Sequence, residues 1–272
     1  MFDFSEFIGR EQVLVETLSP ELCSRLAVTL GHSAPAAPAL GDAAPLASYL
    51  LICLPTPAEG ELGVDGLPMK DAFLPPVDLP RRVWGGSKIT IGEGFKVGQE
   101  IVRRGRITNI YEKQGRSGRM VFVEADFRFE ADGTLCLREE LRQIYLEERD
   151  GSEVTPSQPP RGPLVSGEFC FSPHQMFRFA AITFNAHRIH FDADYARRQE
   201  GYHDLVVQGP LMTIAILSNL QATLQAPVKL IELRGYGFAY VNEPLHIVAP
   251  SMHERHLCNR AGETLVTARV EV

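Results

Sequence analysis

At 272 residues and 44% apolar content, the chain is long enough for one large domain or two ordinary ones and can fill a sizeable core. A net charge of −7 gives no electrostatic support to nucleic-acid binding, and no apolar run reaches the ~20 residues that span a bilayer. The five cysteines are odd in number, widely spaced and without a CxxC pair. They read as small buried hydrophobes in a reducing compartment rather than a zinc cage. The opening MFDFSEFIGREQ has no basic-then-apolar leader pattern, so a cytoplasmic protein with no membrane role is expected.

The first element is a helix. Ser19 can cap it, Pro20 suits its first turn, Leu22, Leu26 and Leu30 recur at helical spacing, and Gly31 can end it. HSAPAAPALGDAAP (32–45) is too rich in proline for regular structure, and SYLLICL (48–54) reads as a short helix or strand. From Val83 the pattern turns to strands: KITI, QEIVRRGRITNIYEK, MVFVEADFRFE and LCLREELRQIYLEE. Val121, Val123, Ala125, Phe127 and Phe129 alternate inward, and GRSG and ADGT supply hairpin turns. EERDGSEVTPSQPPRGPLVS (147–166) has linker composition. This divides the chain into a domain over 1–147, a linker over 148–166 and a domain over 167–272. The second part repeats the scheme. Ser172-Pro173 starts a helix, and PLMTIAILSNLQATL from Pro210 is apolar on almost every side and should be buried. VKLIELRGYGF, PLHIVA, MHERHLCN and TLVTARVEV follow as strands. The class is α+β, with antiparallel sheet wrapped around a long buried helix in each part.

Chemistry concentrates in TFNAHRIHFD (183–192). Asn185, His187, His190 and Asp192 lie within eight positions, a density that is costly to bury without purpose. His187 and His190 could share a helical face, yet no third ligand completes a metal set, and no metal is expected. His190 suits general acid–base work near neutrality, and Asn185 can hold a water or a substrate oxygen. Asp192 reads as the cap of DADYARRQ. In LVVQGPLM, Gly209 precedes Pro210 at a helix start, so its amide points outward with the positive end of the helix dipole. Such an amide can hold a carbonyl oxygen becoming an enolate, worth about 3–4 kcal/mol per donor. The alternative is a plain Gly-Pro turn. Arg188, Arg197 and Arg198 form a local positive group, either a solvated face or a dock for phosphates or a carboxylate.

FRFAAITFNAHRIHFDADYARRQEGYHDLVVQGPLM (177–212) resembles the MaoC-like, hotdog-fold acyl-thioester hydratases and dehydratases. DAFLPPVDLPRRVWGGSKITI and KQGRSGRMVFVEADFRFEADG resemble the N-terminal pattern of their two-domain branch, which has a FAS1-like dehydratase N-terminal domain and includes itaconyl-CoA and mesaconyl-C4-CoA hydratases. The resemblance implies a double hotdog: two antiparallel sheets, each wrapped around a long central helix. The first part would be a non-catalytic partner, since it has TLGHSAP where the second has NAHRIH. It also implies syn addition of water to an enoyl-CoA, with the acyl-CoA substrate as partner and no cofactor beyond the CoA the substrate carries. In related R-specific hydratases the motif is D-x-N-P-x-H. His190 matches its histidine, while Asn185 stands at the aspartate position, His187 at the asparagine and Arg188 at the proline. An amide is no general base, so the acid–base pair does not carry over whole. The expected roles are His190 as the base, Asn185 positioning the water and Gly209 holding the enolate. Arg188 and His187 would face an acyl carboxylate, and Arg197 and Leu211 complete the substrate-binding set. The branch implies a short branched dicarboxylic acyl-CoA, with itaconyl-CoA to citramalyl-CoA favoured over mesaconyl-C4-CoA hydration or 3-hydroxyacyl-thioester dehydration. A thioesterase would want a carboxylate on the central helix, and PLMTIAILSNLQATL has none. A non-catalytic acyl-CoA-binding protein need not keep both His190 and Gly209. A monomer would equal the usual hotdog dimer, and a homodimer of chains is compatible with the plan.

Overall fold

The computed structural model describes residues 4–31, 38–69, 73–115, 118–148, 162–224 and 226–272. The GRSG turn and most of the 148–166 linker and the loop before Pro38 therefore lie outside the described residues. Within them, the helix read at Ser19 is α1 (Pro20–Thr29), and the Ser19 hydroxyl accepts from the Leu22 N–H at 3.2 Å. Helix α2 (Pro173–Ile182) starts from a full capping box in which Ser172 and Gln175 bond each other's backbone N–H. The two helices pack on each other. Helix α3 (Ala193–Arg198) is capped by Asp192, whose Oδ1 accepts from Tyr195 N–H at 3.0 Å. Helix α4 (Gly209–Gln221) buries Leu211, Met212, Ile214, Ile216, Leu217 and Leu220, each contributing about 1.5–3 kcal/mol.

The strands are β1 (Glu11–Thr17), β2 (Arg81–Ile91), β3 (Glu100–Gly115), β4 (Gly118–Ala131), β5 (Thr134–Leu146), β6 (Leu230–Gly235), β7 (Leu245–Ser251), β8 (Glu254–Asn259) and β9 (Thr264–Glu271). β1 escapes a reading by alternation because Val13, Leu14 and Val15 are apolar in succession while only Leu14 of the three packs on the core. The ADGT turn is present, with Asp132 and Gly133 at φ 50 and 75°.

All strands belong to one nine-stranded sheet of order β1-β3-β4-β5-β2-β6-β9-β8-β7. This corrects the expectation of two sheets. β2 and β6 pair antiparallel from Gly86↔Arg234 to Thr90↔Leu230, so what could be two edges is a seam. The order mirrors across that seam, and bridges Leu164↔Val248 and Phe169↔Leu245 flank β7 as β1 flanks β3. The expectation of a long central helix in each part also fails. Between α1 and β2 the described residues hold only 3-10 turns, Leu46–Leu50 and Glu59–Glu61. Pro38, Pro45, Pro55 and Pro57 remove helix donors and clash with preceding carbonyls. Tyr49, Leu51, Ile52 and Cys53 from this irregular stretch enter the main core beside Phe127 and Phe129, and the same cluster continues through α4 to Val266 and Ala268.

Candidate active site

His190 ends a single 3-10 turn, Arg188–His190. The chain leaves α2 through Phe184 in the left-handed region (φ 48°), and Asn185 N–H returns to Ala180 O at 2.9 Å. The Asn185 Oδ1 then accepts from His187 N–H at 3.0 Å, a side-chain turn that starts the histidine segment. Val206 N–H donates to Ile189 O at 2.9 Å and fixes its far side. The first half of the chain closes on the same segment. Arg188 N–H donates to Asp65 O at 2.8 Å. At Gly66 (φ +82°) any Cβ would run into the Ala186 carbonyl, so only glycine allows this approach. A buried Arg82–Asp65 ion pair of 2.8 Å holds the loop in place.

His190 is buried and its Nδ1 lies 2.7 Å from Val206 O. A carbonyl only accepts, so Nδ1 carries the proton and Nε2 keeps its lone pair. Burial, with the His187 charge beside it, pushes the imidazole pKa down to about 3 against a smaller opposing effect of the Val206 carbonyl. The ring is therefore a neutral base throughout the physiological range. His187 is also buried, its ring centroid 5.3 Å from that of His190 at 85°. Its Nε2 donates to Glu200 Oε1 at 3.3 Å. Glu200, only 4% exposed, was not picked out from sequence; it sits past α3 in a stretch with no apolar period, and only folding brings it back. Burial and the Glu200 charge push the Tyr195 hydroxyl up to about 12.

Three residues beyond Val206, Gly209 is the first residue of α4 and has no intrahelical acceptor for its N–H. Gln208 before it makes no cap, using its amide nitrogen on Met176 O at 3.0 Å. Trp84, at the β2 bulge between Trp84 and Gly86, covers Gly209: a Cβ there would sit 3.1–3.4 Å from its ring. His190 is thus tied to the strand-like segment that delivers the α4 N-terminus, and Asn185 opens the turn that carries His190.

Other expected residues are placed differently. The Arg188 guanidinium binds Asp192 Oδ2 at 3.1 and 2.7 Å and Val64 O at 3.2 Å, and lies over the Tyr195 ring at 4.2 Å. It is committed to holding the turn, which removes it as carboxylate dock. Arg197 is held by His203 O at 3.0 Å and Asp204 at 3.1 Å. Leu211 is 0% exposed in the main core, because the third residue of α4 turns inward, and its side chain offers no surface to a ligand. Asn185 has spent its carbonyl on His187 and has only its amide nitrogen to direct a water. Among the described residues no group of His, Cys, Asp or Glu is arranged to hold a metal ion, and no helix is long and apolar enough to cross a membrane.

A buried helix cupped by antiparallel sheet, with a histidine turn at that helix's N-terminal end, defines the class: a hotdog-fold protein of the thioester dehydratase type. The solved MaoC-like dehydratase from Phytophthora capsici superposes with a TM-score of 0.71 at 15% identity, covering 100% of this chain and 98% of that one. A double-hotdog protein from Mycobacterium tuberculosis gives 0.58 at 13% identity, with 97% and 96% covered. The family model described as Hydroxyacyl-thioester dehydratase type 2 matches residues 48–241, and the chain belongs to that family. It is also 31% identical over 277 residues to Mesaconyl-C(4)-CoA hydratase of Chloroflexus aurantiacus, covering 99% of this chain and 98% of that protein. The protein is a hydro-lyase, a hydratase or dehydratase of CoA thioesters.

Proposed function

We propose that the chain adds water to the double bond of a short branched dicarboxylic enoyl-CoA. The observation that carries the mechanism is the His190–Val206 hydrogen bond of 2.7 Å, which leaves Nε2 unprotonated and ties the ring to the segment that leads into α4. In the forward step Nε2 takes a proton from water as the hydroxyl bonds to Cβ. The π electrons pass to the thioester oxygen, where the Gly209 amide holds the enolate. The imidazolium then returns its proton to Cα. A base as weak as buried His190 gives that proton back readily, and the Asn185 amide nitrogen orients the water. No cofactor takes part.

Sequence texture favours itaconyl-CoA. The full-length likeness to a mesaconyl-C4-CoA hydratase favours mesaconyl-C4-CoA, and we adopt it as the first substrate to try. The test is a hydration assay on mesaconyl-C4-CoA, itaconyl-CoA and crotonyl-CoA, followed by loss of the conjugated-thioester absorbance. Turnover of a carboxylate-bearing thioester is expected; no turnover of any of them overturns the reading.

A further inference from the structure

The loss of Arg188 as a carboxylate dock leaves a dicarboxylic substrate without its cation, and the first half of the chain supplies one. On β3 the inward parity runs Ile101, Arg103, Gly105, Ile107, and on β5 it runs Leu137, Glu139, Leu141. Arg103 and Glu139 thus stand in core positions among apolar neighbours. The Arg103 guanidinium lies 4.1 Å from the Phe127 ring centroid and donates to Cys53 O at 2.8 Å. Among the described residues no carboxylate lies within salt-bridge distance of it, the Glu139 charge acts on it from farther off, and Cys53 O is the one hydrogen-bond acceptor it meets. Cys53 is itself pinned, at φ 54°, by its N–H to Glu16 at 2.6 Å and its thiol to Ile101 O at 3.3 Å. The cation therefore has a fixed mount.

Glu139 is buried and accepts from the Ser87 hydroxyl at 2.6 Å, while Ser87 accepts from Trp84 Nε1 at 3.2 Å. Among the described residues its second oxygen and the hydroxyl of buried Tyr49 have no hydrogen-bond partner, and the Glu139 charge acts on that hydroxyl. The line Gly209–Trp84–Ser87–Glu139 is continuous contact and leads from the amide assigned to the enolate to this cluster. Burial holds the Glu139 carboxyl above the usual carboxylate range against smaller opposing effects of Ser87 and the Arg103 charge, so it can take up a proton when an anion comes beside it.

We propose that Arg103, flanked by Tyr49, Ser87 and Glu139, receives the free carboxylate of the acyl chain, so that the first half selects the substrate that the second half hydrates. The proposal rests on the hydratase reading. A charge-assisted hydrogen bond in such surroundings discriminates strongly against a ligand that lacks the charge.

The test compares kcat/KM for carboxylate-bearing enoyl-CoAs of four to six carbons with that for their methyl esters, which keep shape and lose charge. Wild-type protein should favour the best acid over its ester by at least about 30-fold. Arg103→Met should erase that ratio, and Arg103→Lys should keep at least a tenth of it. An acid-to-ester ratio near one in wild type overturns the proposal without any variant, as does a ratio that survives in Arg103→Met. Hydration of crotonyl-CoA with no acid preference would sink the carboxylate site alone, whereas absence of all hydration sinks the hydratase reading with it.

Discussion

Replacing His190 with alanine isolates the chemistry from the fold. At pH 7 the buried ring, with its pKa pushed down to about 3, is wholly in the base form, so its removal takes away the full base contribution. General base catalysis supplies about 10²–10⁴ in rate, or about 3–5 kcal/mol of barrier. The variant also deprives Val206 O of its 2.7 Å donor, which costs about 1–3 kcal/mol of folding stability and leaves a domain of this size folded. His190→Ala should therefore show kcat down by two orders or more, with a modest shift of the urea midpoint. The hydration assay reads the first and denaturation followed by Trp84 fluorescence reads the second. Turnover within tenfold of wild type would remove His190 from the mechanism. A wild-type kcat/KM profile with an acid limb near 6.5 that vanishes in the variant would keep His190 in the mechanism and overturn its lowered pKa.

His190 also links stability to pH. The unfolded chain takes up its proton below 6.5 while the folded chain holds off to about 3, so stability falls as pH drops through that window. The slope from this group reaches about 1.4 kcal/mol per pH unit, and urea titrations at pH 7, 6 and 5 should be shallower in pH for His190→Ala; parallel curves refute it. Gly209→Ala places a Cβ 3.1–3.4 Å from the Trp84 ring. The few tenths of an ångström needed to relieve this should lower kcat about tenfold with little change in KM, and an unchanged kcat would say the amide is unused. Arg82→Met strands Asp65 in a buried site and should cost about 3–5 kcal/mol in urea denaturation; a loss below 1 kcal/mol would show that the pair is dispensable.

Local signals in the sequence were strong wherever a residue acts on its near neighbours. Ser19, Ser172 and Asp192 all cap the helices they precede, and the alternation in β4 marks its buried face. The histidine segment was legible for the same reason, since its turn is built by residues two to five positions apart. Long-range pairing was not. Nothing in the order of residues says that β2 will meet β6, or that Glu200 will return to His187. Arg188 looked free because its partner Asp192 was already explained as a cap, and one carboxylate does both jobs with different oxygens. That the described residues between α1 and β2 hold only 3-10 turns follows from the prolines of residues 38–57, which outweigh the analogy between the two parts. Arg103 and Glu139 did leave a trace, as charged residues on the apolar parity of their strands, and reading parity for exceptions as well as for regularity would have found them.

The β2–β6 seam has a consequence for how such a protein can vary. In an assembly of identical subunits, every substitution is imposed on both sides of the symmetry axis at once. Here the axis runs inside one covalent chain, so the two sides can be altered separately. One side can give up a helix and hold a cation in its interior while the other keeps its helix and a histidine turn, and neither change has to be tolerated twice.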